Sequence, residues 1–179
     1  MTLSQLTVAR AHWMLGALFL AIILEDYVPL LGSDGRRVGS RSAVVPSLLI
    51  LSAVGVWATT VFADFVDDML VHTLWGDILF AAGALEFARR RGVYERPWLE
   101  AVFPVALVSC GVLFIVHEII HSSGPGDRWH VVMGTLLILA GSLELVRVRR
   151  RRAPLIPLAV LPLTGFALAL IAIPVSAAS

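Results

Sequence analysis

The residues best suited to chemistry in this 179-residue chain lie in the stretch His117-Glu118-Ile119-Ile120-His121. Two histidines four residues apart lie one turn apart on the same face of a helix, and a zinc ion can bridge that spacing. His130 follows nine residues later, and the two other histidines of the chain are His12 and His72. The pattern therefore predicts a metal site to which several histidines contribute.

Acidic side chains accompany these histidines. Asp68 precedes His72 by four residues, and Asp127 precedes His130 by three. A carboxylate at this distance from a histidine is typical of carboxylate-bridged metal sites. Because the chain has a single cysteine, the donors are nitrogen and oxygen, and the expected ion is zinc, copper, iron or nickel. The candidate ligands are His12, His72, His117, His121, His130, Asp64, Asp68 and Asp127.

The composition predicts that a lipid bilayer surrounds these residues. The chain is 58% hydrophobic and 15% charged, with a mean hydropathy of +0.86, whereas soluble domains are about 45–50% apolar and about 25% charged. Six apolar segments have the length of a spanning helix. They cover about 11–31, 44–66, 72–90, 98–121, 129–147 and 154–175. We therefore expect an all-α integral membrane protein, with residues 1–179 forming a single polytopic domain.

The arginines predict how the chain is oriented. Twelve of the fourteen follow the first, third and fifth apolar segments, and the chain has no lysine. The positive-inside rule assigns these connections to the cytoplasm, so both termini and all the histidines are expected on the extracytoplasmic side of a prokaryotic cytoplasmic membrane. Since membrane topology explains the arginine clusters, nucleic acid is not an expected partner.

The odd-numbered segments share a pattern that indicates an internal repeat. It reads His12-x3-Gly16-x9-Asp26, then His72-x3-Gly76-x9-Glu86, then His130-x3-Gly134-x9-Glu144. The even-numbered segments each place a proline early and a glycine about two turns later. The pattern predicts three tandem helical hairpins, over about 11–66, 72–121 and 129–175, arranged with pseudo-threefold symmetry about the membrane normal.

Three acids, Asp26, Glu86 and Glu144, end the repeated pattern. Each lies fourteen residues after its histidine, about 21 Å along a helix, so it is too far away to join the histidine site. One interpretation is that Glu86 pairs with Arg90 and Glu144 with Arg147 on the same helix. The alternative is an inner polar layer that belongs to a pathway for an ion or for protons.

Three functions fit these features, besides a purely structural membrane subunit. The preferred one is transition-metal binding on the extracytoplasmic face, for metal handling, transport or metal-dependent redox chemistry. A b-type heme protein is an alternative, since His72 together with His117 or His130 could hold a heme iron between them.

The third function rests on a resemblance. Over the five residues from His117 to His121 the sequence resembles zinc metallopeptidases, which implies zinc bound by His117 and His121 and a water activated by Glu118 as the catalytic residue. A third ligand would then come from His72, Asp127 or His130. The Asp-Gly pattern expected in a later apolar segment of site-2-type intramembrane peptidases is missing from the sequence.

Overall fold

The computed structural model describes residues 3–31, 42–60, 66–94, 96–121, 129–150 and 156–172, and these residues contain helices and no strand. This confirms the all-α class for the described part of the chain. The helices are α1 (Leu3–Asp26), α2 (Val28–Leu31), α3 (Val44–Thr60), α4 (Val66–Arg90), a 3₁₀ helix (Pro97–Ala101), α5 (Val102–His121), α6 (Trp129–Arg150) and α7 (Ile156–Ala172).

Three of the described helices are long and apolar enough to cross a membrane. They cover Met69–Arg90, Pro97–Ile120 and Trp129–Arg150, with 22, 24 and 22 residues. At 1.5 Å per residue each exceeds the roughly 30 Å of a hydrocarbon core. Two further apolar helices, Val44–Thr60 and Leu158–Ala172, are shorter.

The helix boundaries differ from the apolar segments where local signals outweigh hydropathy. Helix α4 begins at Val66, before the predicted start at residue 72, because polar residues such as Asp67 and Asp68 extend its first turns. Its other end is a Schellman turn, in which Gly92 has φ 71° and the amide of Val93 donates to the carbonyl of Ala88. Glycine adopts this left-handed conformation without a steric penalty, so α4 stops there.

The long helices form a closed ring. Within the described residues each of them packs against its neighbours in the chain, and α7 packs against α1. Successive helices run in opposite directions, so the odd and even apolar segments alternate around the ring. Buried apolar side chains fill its interior, among them Phe19, Leu49, Phe114, Leu137 and Phe166.

Glycines bring certain neighbours into backbone contact. A Cβ added at Gly134 of α6 would lie 2.6 Å from the carbonyl oxygen of Gly111 on α5, and one added at Gly141 would lie 2.6 Å from that of Pro104. The closest packing is therefore between α5 and α6 and between α3 and α4. In the second pair Gly83 of α4 lies against the carbonyl oxygen of Pro46 on α3. The predicted hairpins join the other pairs, α1–α3, α4–α5 and α6–α7, which also touch but pack less closely.

This packing predicts different costs for the same substitution at two glycines. The Gly134→Ala variant must push α5 and α6 apart, whereas a Cβ at Gly165 meets Leu136 at 3.5 Å, an ordinary contact. Since both changes gain the same helix propensity, we expect Gly134→Ala to be less stable than Gly165→Ala by about 1–3 kcal/mol, the usual cost of overpacking. Unfolding of the two purified variants in detergent measures the difference, and equal stabilities would contradict the close contact.

Candidate functional site

Three histidines from three helices meet at one end of the ring, here called the histidine end. His117 of α5 lies between His72 of α4 and His130 of α6. Its ring centroid is 5.8 Å from that of His72 and 5.0 Å from that of His130, and it meets both rings edge-on, at 76° and 85°. All three residues are half-buried.

The antiparallel ring explains why these residues meet. His72 and His130 lie near the N-terminal ends of α4 and α6, and His117 lies in the last turns of α5. Because α5 runs opposite to both neighbours, its C-terminal end lies beside their N-terminal ends. The predicted convergence of His72, His117 and His130 is therefore present in the structure.

Glu118 makes a polar contact with His130, one member of this cluster. Its Oε2 lies 2.9 Å from Nδ1 of His130, and its side chain is 9% exposed, against 25% for the His130 side chain. An ionised carboxylate can only accept hydrogen bonds, so beside an ionised Glu118 the proton of this bond belongs to Nδ1 of His130. In a neutral imidazole that tautomer leaves a lone pair on Nε2, which is the form that binds metals.

Aromatic side chains form a floor beneath the histidines. Phe114 stacks on His130 with centroids 5.7 Å apart and planes 22° apart, and it meets Trp75 and Phe166 edge-on. Phe19 of α1 continues the row against Phe166, at 5.1 Å. The aromatic floor of Trp75, Phe114, Phe166 and Phe19 thus joins four helices and separates the histidines from the rest of the core.

The other predicted ligands are only partly described. His12 is half-buried in α1. His121 ends α5 and Asp68 lies in α4, but the side chains of both fall outside the described residues, as do Asp64 and Asp127 altogether. Within the described part, no group of three or more His, Cys, Asp or Glu side chains is arranged to hold a metal ion.

The opposite end of the ring, the arginine end, carries buried ion pairs. Arg90 donates to Glu86 of its own helix and to Asp26 of α1, both at 2.7 Å. On α6, Nε of Arg147 donates to Glu144 at 2.7 Å, and Glu144 is fully buried. The pairing of Glu86 with Arg90 and of Glu144 with Arg147 is therefore present as the spacing predicts.

Two contacts were missed in the sequence because they join different helices. The Asp26–Arg90 pair links α1 to α4, and the Glu118–His130 pair links α5 to α6. The only sequence signal for either is the repeated pattern, which places Asp26 at the level of Glu86 and His130 at the level of His72.

Comparison with protein-family models, with curated proteins and with solved structures gives no match for this chain. What the protein does must therefore be inferred from the chemistry of its site residues, because a fold by itself does not define a function.

The arginine end yields a stability prediction. Replacing Arg90 with alanine removes a buried cation that contacts both Asp26 and Glu86, and removing one partner of a buried pair costs about 3–5 kcal/mol. Arg91 is the matched control, because it is exposed and its guanidinium lies over the ring of Phe87. We expect Arg91→Ala to change the free energy of unfolding by less than about 0.5 kcal/mol. Unfolding in detergent tests both variants, and equal losses would contradict a buried pair at Arg90.

Proposed function

We propose that this protein binds a transition-metal ion at the histidine end, through His72, His117 and His130. The observation that carries the proposal is the meeting of three imidazoles from three helices around His117. Ionisable side chains in apolar helices are costly and usually functional. Nitrogen ligands of this kind suit zinc, copper(II), iron or nickel.

The separations of the ring centroids are compatible with shared coordination, although the side chains as described do not form a group that holds a metal ion. At a metal–nitrogen distance of about 2.0–2.1 Å, two imidazoles on one tetrahedral ion have ring centroids about 5 Å apart. His117 and His130 have that separation, and His72 exceeds it by less than 1 Å. The remaining positions would be taken by water or by the other predicted ligands, of which His121 is one helical turn beyond His117.

The topology of this proposal follows from the arginines. We propose six membrane spans with the arginine end in the cytoplasm and the histidine end outside, in the cytoplasmic membrane of a prokaryote. Three helices of spanning length and two shorter apolar ones support the spans. Buried charges at the arginine end are mutually paired, as expected where a membrane interface meets a protein interior.

Matching contacts support the proposed threefold repeat. Gly83 packs on the carbonyl of Pro46 and on Ile50, and Gly141 packs in the same way on the carbonyl of Pro104 and on Val108. In the third case Gly16 of α1 packs on the carbonyl of Ala167 of α7. The repeating unit would then be an even-numbered segment with the odd-numbered segment beside it: α3–α4, α5–α6 and α7–α1.

The geometry favours a metal ion over the two alternatives. In a metallopeptidase Glu118 would activate water, but here its carboxylate is bonded to His130. A heme between two of the histidines needs a slot as wide as the macrocycle. His117 stands between His72 and His130, and Trp75 and Phe114 pack beside the rings.

The core beneath the site favours binding over conduction. From His130 to Glu144 the helix rises about 21 Å, and the buried side chains of α6 between them are apolar, such as Met133, Leu137 and Ala140. Transferring an ion into such an interior without polar partners is strongly unfavourable. We therefore propose a site that exchanges metal with the outer face only, as an acceptor or as a metal-dependent redox centre.

The first test is the metal affinity of histidine variants. His72→Ala, His117→Ala and His130→Ala should each weaken Zn²⁺ or Cu²⁺ binding by more than about 100-fold, beyond the usual effect of losing an outer-shell partner. The controls are Thr73→Ala, at a half-buried position next to His72 on α4, and Val116→Ala, at an exposed position next to His117 on α5. Calorimetric titration of the purified proteins gives the affinities, and elemental analysis with an absorption spectrum identifies the native occupant.

The outcomes separate the three functions. A strong Soret band would contradict the non-heme proposal, and a loss confined to His117→Ala would contradict a site shared by three helices. Hydrolysis of a peptide substrate that disappears in Glu118→Gln while metal remains bound would favour the peptidase alternative.

The second test measures transport. In liposomes that contain the protein and a metal-sensitive dye, we expect Zn²⁺ entry no faster than in protein-free liposomes, because the aromatic floor and the apolar core close the path. The same preparation should bind Zn²⁺ stoichiometrically from solution. Saturable entry that is lost in His130→Ala would contradict a site open to one side only.

A further inference from the structure

The carboxylate of Glu118 is in an unusual position for a charged group. It is buried, its neighbours on the helix are Phe114 and Ile115 one turn earlier, and the following Ile119 is exposed. Burying a carboxylate is costly unless hydrogen bonds satisfy it. The contact with Nδ1 of His130, at 2.9 Å, supplies such a bond.

We propose that Glu118 is a positioning residue for His130 and not a catalytic base. By accepting the hydrogen bond from Nδ1, it selects the tautomer whose Nε2 can bind a metal, an arrangement that carboxylates commonly impose on metal-binding histidines. The proposal rests on the proposed function in that the metal is the ligand for which His130 is prepared.

Phe114 completes the arrangement. It lies one turn before Glu118 on α5 and stacks on the imidazole of His130, so it restricts the plane of the ring while Glu118 restricts its rotation within that plane. Both constraints come from one helix and act on a side chain of the next. His130 is thereby held at 5.0 Å from His117 before any metal arrives.

The role of Glu118 can be separated from that of a base by two substitutions. In Glu118→Gln the amide oxygen can still accept from Nδ1, but the side chain can no longer take up a proton. In Glu118→Ala the acceptor is gone. A positioning role predicts that Glu118→Gln keeps its metal affinity and that Glu118→Ala loses it. A residue that acts only as a base predicts that both variants bind metal normally and that both lose hydrolysis.

The decisive measurement is the tautomer of His130 in the metal-free protein. Nitrogen-15 spectra of histidine-labelled protein in detergent distinguish a protonated Nδ1 from a protonated Nε2, and the His130→Ala variant identifies its signals. We expect protonated Nδ1 in the natural protein and in Glu118→Gln, and a shift towards protonated Nε2 in Glu118→Ala. Protonated Nε2 in the natural protein would overturn the proposal without any variant.

Metal titration gives the second readout. Zn²⁺ affinity should fall by about 10–100-fold in Glu118→Ala, the usual cost of losing an outer-shell partner, and by less than about threefold in Glu118→Gln. Val116→Ala, an exposed position on the same helix, is the control for unspecific damage. Equal losses for alanine and glutamine would overturn the positioning role.

The two readouts can contradict the metal function and the positioning role separately. If the natural protein has protonated Nδ1 at His130 but binds no Zn²⁺ or Cu²⁺, the proposed metal function is wrong and the hydrogen bond from His130 to Glu118 stands. If metal binds and Glu118→Ala changes neither the tautomer nor the affinity, the metal function stands and the positioning role is wrong.

Discussion

The backbone contact between α5 and α6 is the constraint on which the histidine end depends. At Gly134 and Gly111 the two helices are so close that a Cβ on either residue would overlap the other helix. Gly141 makes a second contact of this kind with the carbonyl of Pro104. Two such contacts on one antiparallel pair define both its rotation and its register, as small residues do in packed apolar helices. Glu118 and His130 lie just beyond the first contact, on the same side of it, and this brings carboxylate and imidazole within hydrogen-bond distance.

The buried carboxylates have different partners at the two ends of the ring. At the arginine end, every buried carboxylate among the described residues lies beside a guanidinium, so charges of opposite sign compensate each other. At the histidine end, Glu118 lies beside the imidazole of His130, whose charge depends on its protonation. Compensated pairs stabilise a fold and leave little capacity to bind an ion. A carboxylate beside an imidazole retains that capacity, and for this reason we place the functional site at this end.

The His-Glu-Ile-Ile-His stretch acquires a different meaning in three dimensions. Along one helix it resembles the zinc-binding pattern of metallopeptidases. In the ring, His117 faces histidines of two other helices, and Glu118 faces the histidine of the next helix. The chemistry of the stretch is therefore set by the partners that packing supplies. The aromatic floor of Trp75, Phe114, Phe166 and Phe19, which belongs to the apolar core, lies next to those partners.

The sequence by itself determined what depends on local spacing. Apolar segments predicted the helices, and the three- and four-residue intervals predicted the pairs of Glu86 with Arg90 and of Glu144 with Arg147. These follow from the 3.6-residue period, because residues one turn apart on a helix are always neighbours.

Only the tertiary structure decided which helices pack most closely and which residues meet between helices. The contacts of Asp26 with Arg90 and of Glu118 with His130 depend on the rotation and register of separate helices. The repeated His-x3-Gly pattern contains Gly134, one of the glycines responsible, but it does not say which neighbour that glycine faces. The neighbour that packs on each glycine depends on how well whole helix surfaces fit together. A glycine by itself allows a close approach by the helix on either side of it.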